Sequence, residues 1–448
     1  MVAVSAGMER TRSPAGPRGG LIAGNLRELA GDRLGTLTRY AGEYGDVVAL
    51  RMGPWRYLLV SDPSLIEEVL VGRRASFRKG REYRLDRLTL GNGLLTSEGE
   101  LWLRQRRLMQ PAFRREAVAG AAPAIVESAE RELETWSPQV PVNVLPAMLR
   151  MTLDAAARTL FGTDVDGREE EVAEVLLVAL ERFRARFDSV LSLPDQVPTR
   201  ANVRLRAAVR RLDRVVGEMV ARRTAVGRHD LLGLLLRAHD EDGSRMSDRQ
   251  LRDEVRTLLL AGHETTANAL TWITFLLARH PEVADAVAEE ARWLGRGHTL
   301  GKTDAATLRY TEMVVREALR LYPPSWGITR QATEDCRVGR YRVHRGVHVA
   351  MCQWIVHRDA RWFPDPHAFQ PQRWADEDPD RPKYAYFPFG GGQRLCIGAP
   401  FAMLELVLTV ATLARRYRVE YSGAADPEPL ASITLRPRDD VLITVSER

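Results

Sequence analysis

Cysteine is nearly missing from this chain: its 448 residues contain three, Cys336, Cys352 and Cys396. No two stand at C-x-x-C spacing, which argues against a zinc ribbon or a dithiol redox pair. So few in so long a chain fit a reducing compartment, with none of them paired. Lysine is as rare. Lys79, Lys302 and Lys383 are the only ones among 65 basic residues, so the positive charge is almost all arginine, as a GC-rich genome would produce. The arginines are interleaved with Asp and Glu and no nucleic-acid motif accompanies them, which argues against nucleic-acid binding. The net charge of +6 is compatible with a mildly basic face toward an acidic partner. Long apolar runs are absent too. The longest strongly apolar uncharged stretch, residues 265–278, is too short to span a bilayer and reads as a buried helix. Residues 1–20 carry Arg10, Arg12, Pro14, Pro17 and Arg18 and no apolar h-region, so a flexible arm is expected rather than a signal peptide, and the cytoplasm is the expected location. No linker, low-complexity tract or internal repeat divides the rest. With 45% hydrophobic residues it can bury a large core, and residues 21–448 are expected to form one domain.

What is present is mainly helical periodicity. Residues 47–52 and 56–60 read as a strand pair around Gly53-Pro54. Asp62-Pro63 opens a predicted helix over 62–70. From Glu98 to Ala414 much of the chain has helical spacing; Leu176, Leu180, Phe183 and Phe187, for example, share one face. Strands return at 336–350, 433–435 and 441–445. This pattern predicts a mainly α fold with small β-sheet regions. Ser247 and Gln250 match a capping box, and Pro281 marks the far end, so the helix between would run about 32 residues and roughly 48 Å.

One cysteine has unusual surroundings. Residues 389–398 read Phe-Gly-Gly-Gly-Gln-Arg-Leu-Cys-Ile-Gly and precede an apolar helix. Gly390, Gly391, Gly392 and Gly398 remove Cβ atoms on both sides of Cys396, which lets backbone N–H groups approach the sulfur. Arg394 places a cation two residues away. A thiolate so surrounded can stay deprotonated and hold a metal or haem iron; a small buried core residue is the other reading. The segment resembles the cysteine-ligand loop of the cytochrome P450 family, Phe-x-x-Gly-x-Arg-x-Cys-x-Gly. Phe389, Gly392, Arg394, Cys396 and Gly398 fill every fixed position. The resemblance covers nearly the whole chain from about Gly42. It implies a helical, triangular-prism-like domain with a minor β region, and haem b held by the Cys396 thiolate.

The middle of the long helix is odd. Ala261-Gly262-His263-Glu264-Thr265-Thr266 puts a glycine, an acid and two threonines inside an apolar helix. Gly262 costs about 1 kcal/mol against Ala, and the Thr265 hydroxyl can turn back onto the Ala261 carbonyl and bend the helix. Two readings fit: a kink that relieves packing with Glu264 facing water, or a groove for a small ligand with a proton source beside it. The hexapeptide resembles the family's oxygen-binding motif. That implies Ala261 and Gly262 beside the cofactor, Thr265 hydrogen-bonding dioxygen and Glu264 relaying protons.

Other segments follow the family in order. Glu317 and Arg320 share a helix face. The resemblance implies that Arg373, in Phe369-Gln-Pro-Gln-Arg-Trp374, joins them in a buried ionic triad that braces the cysteine loop. Gln372 and Trp374 depart from the Glu and Phe frequent at those positions. Trp102 and Arg106, at i and i+4, resemble the family's Trp-x-x-x-Arg helix, which implies donors to the haem propionates. A surface Arg beside a half-buried Trp is the plainer alternative. Arg330 and Arg394 are the further propionate partners the resemblance implies.

The resemblance further implies a monooxygenase that places one atom of O2 in a hydrophobic small molecule. Too little chain follows Cys396 for a flavin or nicotinamide segment, so electrons from NAD(P)H would arrive through a separate ferredoxin with its reductase, or a flavodoxin. Arg104, Arg107, Arg114 and Arg115 form either its docking face or solvated surface charge. By family analogy Leu94, Leu95, Leu258, Leu259, Trp326, Ile328 and Ile433 line the substrate pocket. Their apolar character points to a terpenoid, fatty acid or polyketide of bacterial secondary metabolism. The stretch 193–199 resembles bacterial members that act on terpenoid or fatty-acyl skeletons. Oxidative coupling, desaturation or rearrangement is the rival chemistry, and a haem-thiolate sensor the non-enzyme rival; Glu264-Thr265 favours oxygen activation, since a sensor needs no proton relay. A monomer is expected.

Overall fold

The computed structural model describes residues 13–85, 87–160, 197–223, 231–237, 245–294, 300–301 and 304–448, with isolated positions at 175, 178, 181, 182, 185 and 243. The expected helix face Leu176, Leu180, Phe183 and Phe187, and residues 193–196, lie outside the described residues. Two compact units are present. The first contains the described residues up to Arg81 with Gly327–Pro366 and Pro379–Leu395; the second contains Glu82–Trp326, His367–Asp378 and Cys396–Arg448.

The first unit is built on a five-stranded sheet. Val47–Met52 and Trp55–Val60 pair antiparallel, with Met52 opposite Trp55, and the turn places Gly53 at φ +59°. Trp55–Val60 pairs parallel with His348–Met351, which pairs antiparallel with Ile328–Ala332, and Phe77–Lys79 closes the edge. The region 336–350 therefore holds a hairpin, Cys336–Val338 with Tyr341–Val343, followed by a sheet strand. Leu58, Val60, Phe77, Val349, Met351 and Phe387 are buried together in its core. The helix predicted over 62–70 is in two pieces. Pro63–Glu67 is α-helical, capped by the Asp62 carboxylate, which accepts from the Ser64 and Leu65 N–H groups. Glu68–Gly72 widens into a π turn. Residues 13–20 of the expected arm make backbone contacts: the Ala49 N–H donates to the Ala15 carbonyl at 2.8 Å, and Gly20 bridges Gly24.

The second unit is helical. Its long helix, Asp248–Arg279, has the predicted length, and both bonds of the Ser247–Gln250 capping box form, at 3.3 and 3.4 Å. Pro281 opens the next helix, Pro281–Trp293. Every residue over 266–277 is buried, as a helix crossing a core requires. The hydroxyls of Thr271 and Thr274 are satisfied by the carbonyls four residues earlier, at 2.7 and 2.8 Å. Trp272 stacks on Tyr322 at 4.0 Å and donates its indole N–H to the Leu435 carbonyl at 3.3 Å. The helix packs against Val144–Leu160 and Ala399–Arg416. The strand expected at 433–435 is corrected: Leu435–Pro437 pairs with Pro429–Ala431, and Ile433 lies in the turn, where the Ser432 N–H donates to the Thr434 carbonyl at 3.1 Å. Leu442–Glu447 pairs with Tyr417–Tyr421 and Val142–Asn143. Among the described residues no helix is long and apolar enough to cross a membrane, and all three cysteines are free.

Candidate active site

Cys396 lies just before the helix Ala399–Arg416, whose N-terminal amides and dipole favour an anion there. The backbone N–H groups of Gly398 and Ala399 donate to its sulfur. A Cβ on Gly398 would stand 3.9 Å from Sγ, in ordinary contact. Burial pushes the thiol up from its usual value, while those amides and the Arg106 guanidinium oppose the shift. The residue as a whole keeps open surface, although its thiol is set within the fold.

The sequence reading of the glycine loop needs correcting. In the first unit, Gly390 and Gly392 adopt positive φ, 73° and 64°. A Cβ on Gly392 would collide with the Leu70 carbonyl, and one on Gly391 with the Tyr384 ring. The Gly392 N–H donates to the Tyr384 hydroxyl at 3.1 Å. These glycines serve close packing of the loop on Leu70 and Tyr384. Only Gly398 stands against the sulfur, and the cation acting on the sulfur is Arg106.

The long helix is bare where the sequence is odd. Ala261, Gly262 and Thr265 keep open surface while His263, Glu264 and Thr266 are buried, and a Cβ on Gly262 would meet nothing within 4 Å. The Thr265 hydroxyl donates to the Ala261 carbonyl at 2.8 Å, as expected, and that of Thr266 to the Gly262 carbonyl at 3.0 Å. A cysteine sulfur with amide donors and a helix segment stripped of bulk are features that a flat macrocycle held by a thiolate needs, so these residues fit haem.

The sequence matches the family model Cytochrome P450 over residues 14–443. The chain belongs to the cytochrome P450 family. It is 36% identical to a cyclooctatin synthase of Streptomyces melanosporofaciens over 97% of this chain and 94% of that protein. A cyclooctat-9-en-7-ol 5-monooxygenase of the same organism is also 36% identical, over 84% of this chain and 83% of that protein. A pentalenene oxygenase of Streptomyces avermitilis is 35% identical over 88% of each chain. As a cytochrome P450 the protein is a monooxygenase, working with haem-thiolate chemistry, O2 and electrons from a redox partner.

In this P450 Glu264 does not face water. Glu264 is 6% exposed, and its Oε1 accepts from the Thr434 hydroxyl at 2.5 Å and from Asn268 Nδ2 at 3.4 Å. Burial raises its carboxyl above the usual range, opposed by the Thr434 bond, the Arg436 charge and Asn268. His263 is also buried, 2.5 Å from the Leu259 carbonyl, and burial lowers its pKa toward the neutral ring. Sequence reasoning missed Glu405, a buried carboxyl beside Thr266 that burial pushes up to about 8.

The ionic triad forms within the second unit. Arg320 forks onto Glu317 at 2.9 and 2.7 Å, and Arg373 Nε donates to Glu317 Oε1 at 3.0 Å. The departure at Trp374 is functional in structural terms: its indole N–H donates to Glu317 Oε2 at 2.9 Å. The Gln370 N–H adds a bond of 3.0 Å. Trp102 is buried in the helix Gly99–Met109, one turn before Arg106, whose pKa burial lowers. Arg104 is tied into the fold, donating to Gln250 Oε1 and the Arg245 carbonyl at 3.3 and 3.0 Å. Arg107, Arg114 and Arg115 are exposed.

The substrate candidates are distributed over both units. Leu94 and Leu258 are buried and Leu95 is 36% exposed. The Leu94 N–H donates to Glu254 Oε2 at 2.9 Å, which ties that loop to the long helix. Trp326 and Ile433 are half-buried. In the first unit, Ile328 lies in its sheet, Arg330 is buried in the same strand, and Phe389 and Arg394 sit on the glycine loop. Asn268 has a sequence signal, lying four residues after Glu264. Thr434 has none.

Proposed function

We propose that this P450 oxidises a terpenoid scaffold, placing one atom of O2 in it and releasing the other as water. The observation that carries the reading is the Cys396 sulfur, which accepts from the Gly398 and Ala399 amides in a residue that keeps open surface. When bound there, haem b would supply oxygen activation, chemistry that a thiolate ligand favours. Cys396 would be the iron ligand. Trp102 and Arg106 would hold propionates, and the same role for Arg330 and Arg394 rests on the family pattern alone. The Thr265 hydroxyl donates to the Ala261 carbonyl and keeps lone pairs, so it would accept a hydrogen bond from a group placed beside it. Glu264 would hold a proton in reserve, since burial favours its neutral form. The one-domain expectation for residues 21–448 is supported by the family match, which runs unbroken over 14–443.

The terpenoid class is supported by the names of relatives, a cyclooctat-9-en-7-ol 5-monooxygenase and a pentalenene oxygenase, and by the apolar Leu94, Leu95, Leu258, Trp326, Ile328 and Ile433. Electrons would come from NAD(P)H through a ferredoxin and its reductase, or a flavodoxin. The expected carbon monoxide adduct of the reduced protein has the strongly red-shifted Soret band of thiolate ligation. Cys396→Ser should abolish that band and turnover; a Cys396→Ser protein that kept both would overturn the proposal. Ferric spin-state titrations with cyclic terpenes, fatty acids and macrolides test the substrate class, and a response to macrolides alone would refute it.

A further inference from the structure

We infer that Glu264, Asn268 and Thr434 form a latch that positions the turn bearing Ile433, so the acid of the oxygen motif also sets how bulky a ligand the site accepts. This rests on the reading above that Ile433 faces substrate. The three side chains close a triangle: Thr434 Oγ1 lies 2.5 Å from Glu264 Oε1, and Asn268 Nδ2 lies 3.4 Å from Glu264 Oε1 and 3.2 Å from Thr434 Oγ1. All three are buried. The donors run one way. Thr434 has a single hydroxyl proton and gives it to Glu264, so its lone pair accepts from Asn268, whose amide has a second proton for Glu264.

The turn is held from several sides. Trp326 Nε1 donates to the Ser432 carbonyl at 2.9 Å, Trp272 Nε1 to the Leu435 carbonyl at 3.3 Å, and the Leu435 N–H to the Pro324 carbonyl at 2.9 Å. Of Ser432, Ile433, Thr434 and Leu435, only Ile433 keeps open surface. These bonds point Ile433 outward and fix the backbone on either side of it. The latch is the only one of them that joins the turn to Glu264, whose neighbour Thr265 also has open surface. A buried polar network of this kind rigidifies what it joins, and losing one member strands the others. Asn268 and Thr434 are therefore positioning residues.

The test uses haem-loaded protein and two iron-binding probes of unequal bulk, imidazole and clotrimazole. Thr434→Val keeps the shape and removes the hydroxyl. It should change the clotrimazole dissociation constant about fivefold or more and leave that of imidazole within about twofold, while amide exchange over 429–437 speeds about tenfold. Thr434→Ser should return the clotrimazole constant and the exchange rate to native. Glu264→Gln should add little on top of Thr434→Val, because both break one network. General destabilisation would shift both probes together and would overturn the latch. So would a Thr434→Val protein whose probe ratio and exchange stay within about twofold of native. If imidazole produced no Soret shift in the native protein, the haem reading itself would fall, and the latch with it.

Discussion

Glu317 shows how much can rest on one carboxylate. It receives bonds from Arg320, Gln370, Arg373 and Trp374, and both Glu317 and Arg320 are wholly buried. Removing one partner of such a pair strands a buried charge, so Glu317→Gln should lose about 3–5 kcal/mol of unfolding free energy, measured by denaturant titration of the haem-loaded protein. Glu405 makes the opposite prediction. Its carboxyl holds its proton in the fold up to about 8, against an ordinary value of 4.5. The group's stabilising contribution is therefore full below pH 4.5 and falls as pH rises through about 8. Glu405→Gln removes that loss. Between pH 5 and pH 8 the variant should gain a few kcal/mol relative to the native chain, roughly, in thermal or denaturant melts. A constant difference across that range would refute it. The sequence shows neither effect fully. Glu317 and Arg320 are recognisable from their spacing and family context, but Trp374 reads only as a departure, because an indole hydrogen bond depends on where the ring is packed.

Elements were more legible than the contacts among them. The capping box, the 32-residue helix and the proline at its end are local matters of backbone chemistry, and the structure has all three. The glycine loop is a different case. Its cysteine pattern is readable, yet Gly392 is needed by the Leu70 carbonyl, far away in the sequence, and Gly391 by the Tyr384 ring, whose placement no spacing rule gives. Gly262 allows a direct test at this scale. Alanine there should stabilise the helix by up to about 1 kcal/mol. Its methyl would enter the open space beside Thr265, so the substrate-induced spin shift should weaken as the melting temperature rises. Weaker stability with an unchanged spin shift would count against an open, ligand-facing helix segment.

For the whole molecule, charge is the term that acts over distance. The basic surplus is spread widely, but Arg107, Arg114 and Arg115 are exposed in and just after the Trp102 helix, while Arg104 is tied to Gln250. Reversing Arg114→Glu and Arg115→Glu should raise the concentration of ferredoxin needed for half-maximal turnover about tenfold at low salt, with the gap closing as salt screens the charges. Substrate spin shifts should be unchanged. An unaltered ferredoxin dependence would reduce these arginines to solvated surface charge.

The sequence by itself determined the family, the cysteine loop, the long helix with its glycine and threonines, and the Glu317–Arg320 pair. Each motif is recognisable from residues a few positions apart. The tertiary structure alone decided that Glu264 is held by Thr434, that Trp374 serves Glu317, and that a buried Glu405 lies beside Thr266. Those pairings join residues 57 to 170 positions apart. Such contacts follow from how helices and the terminal hairpin pack, and no local spacing rule specifies them.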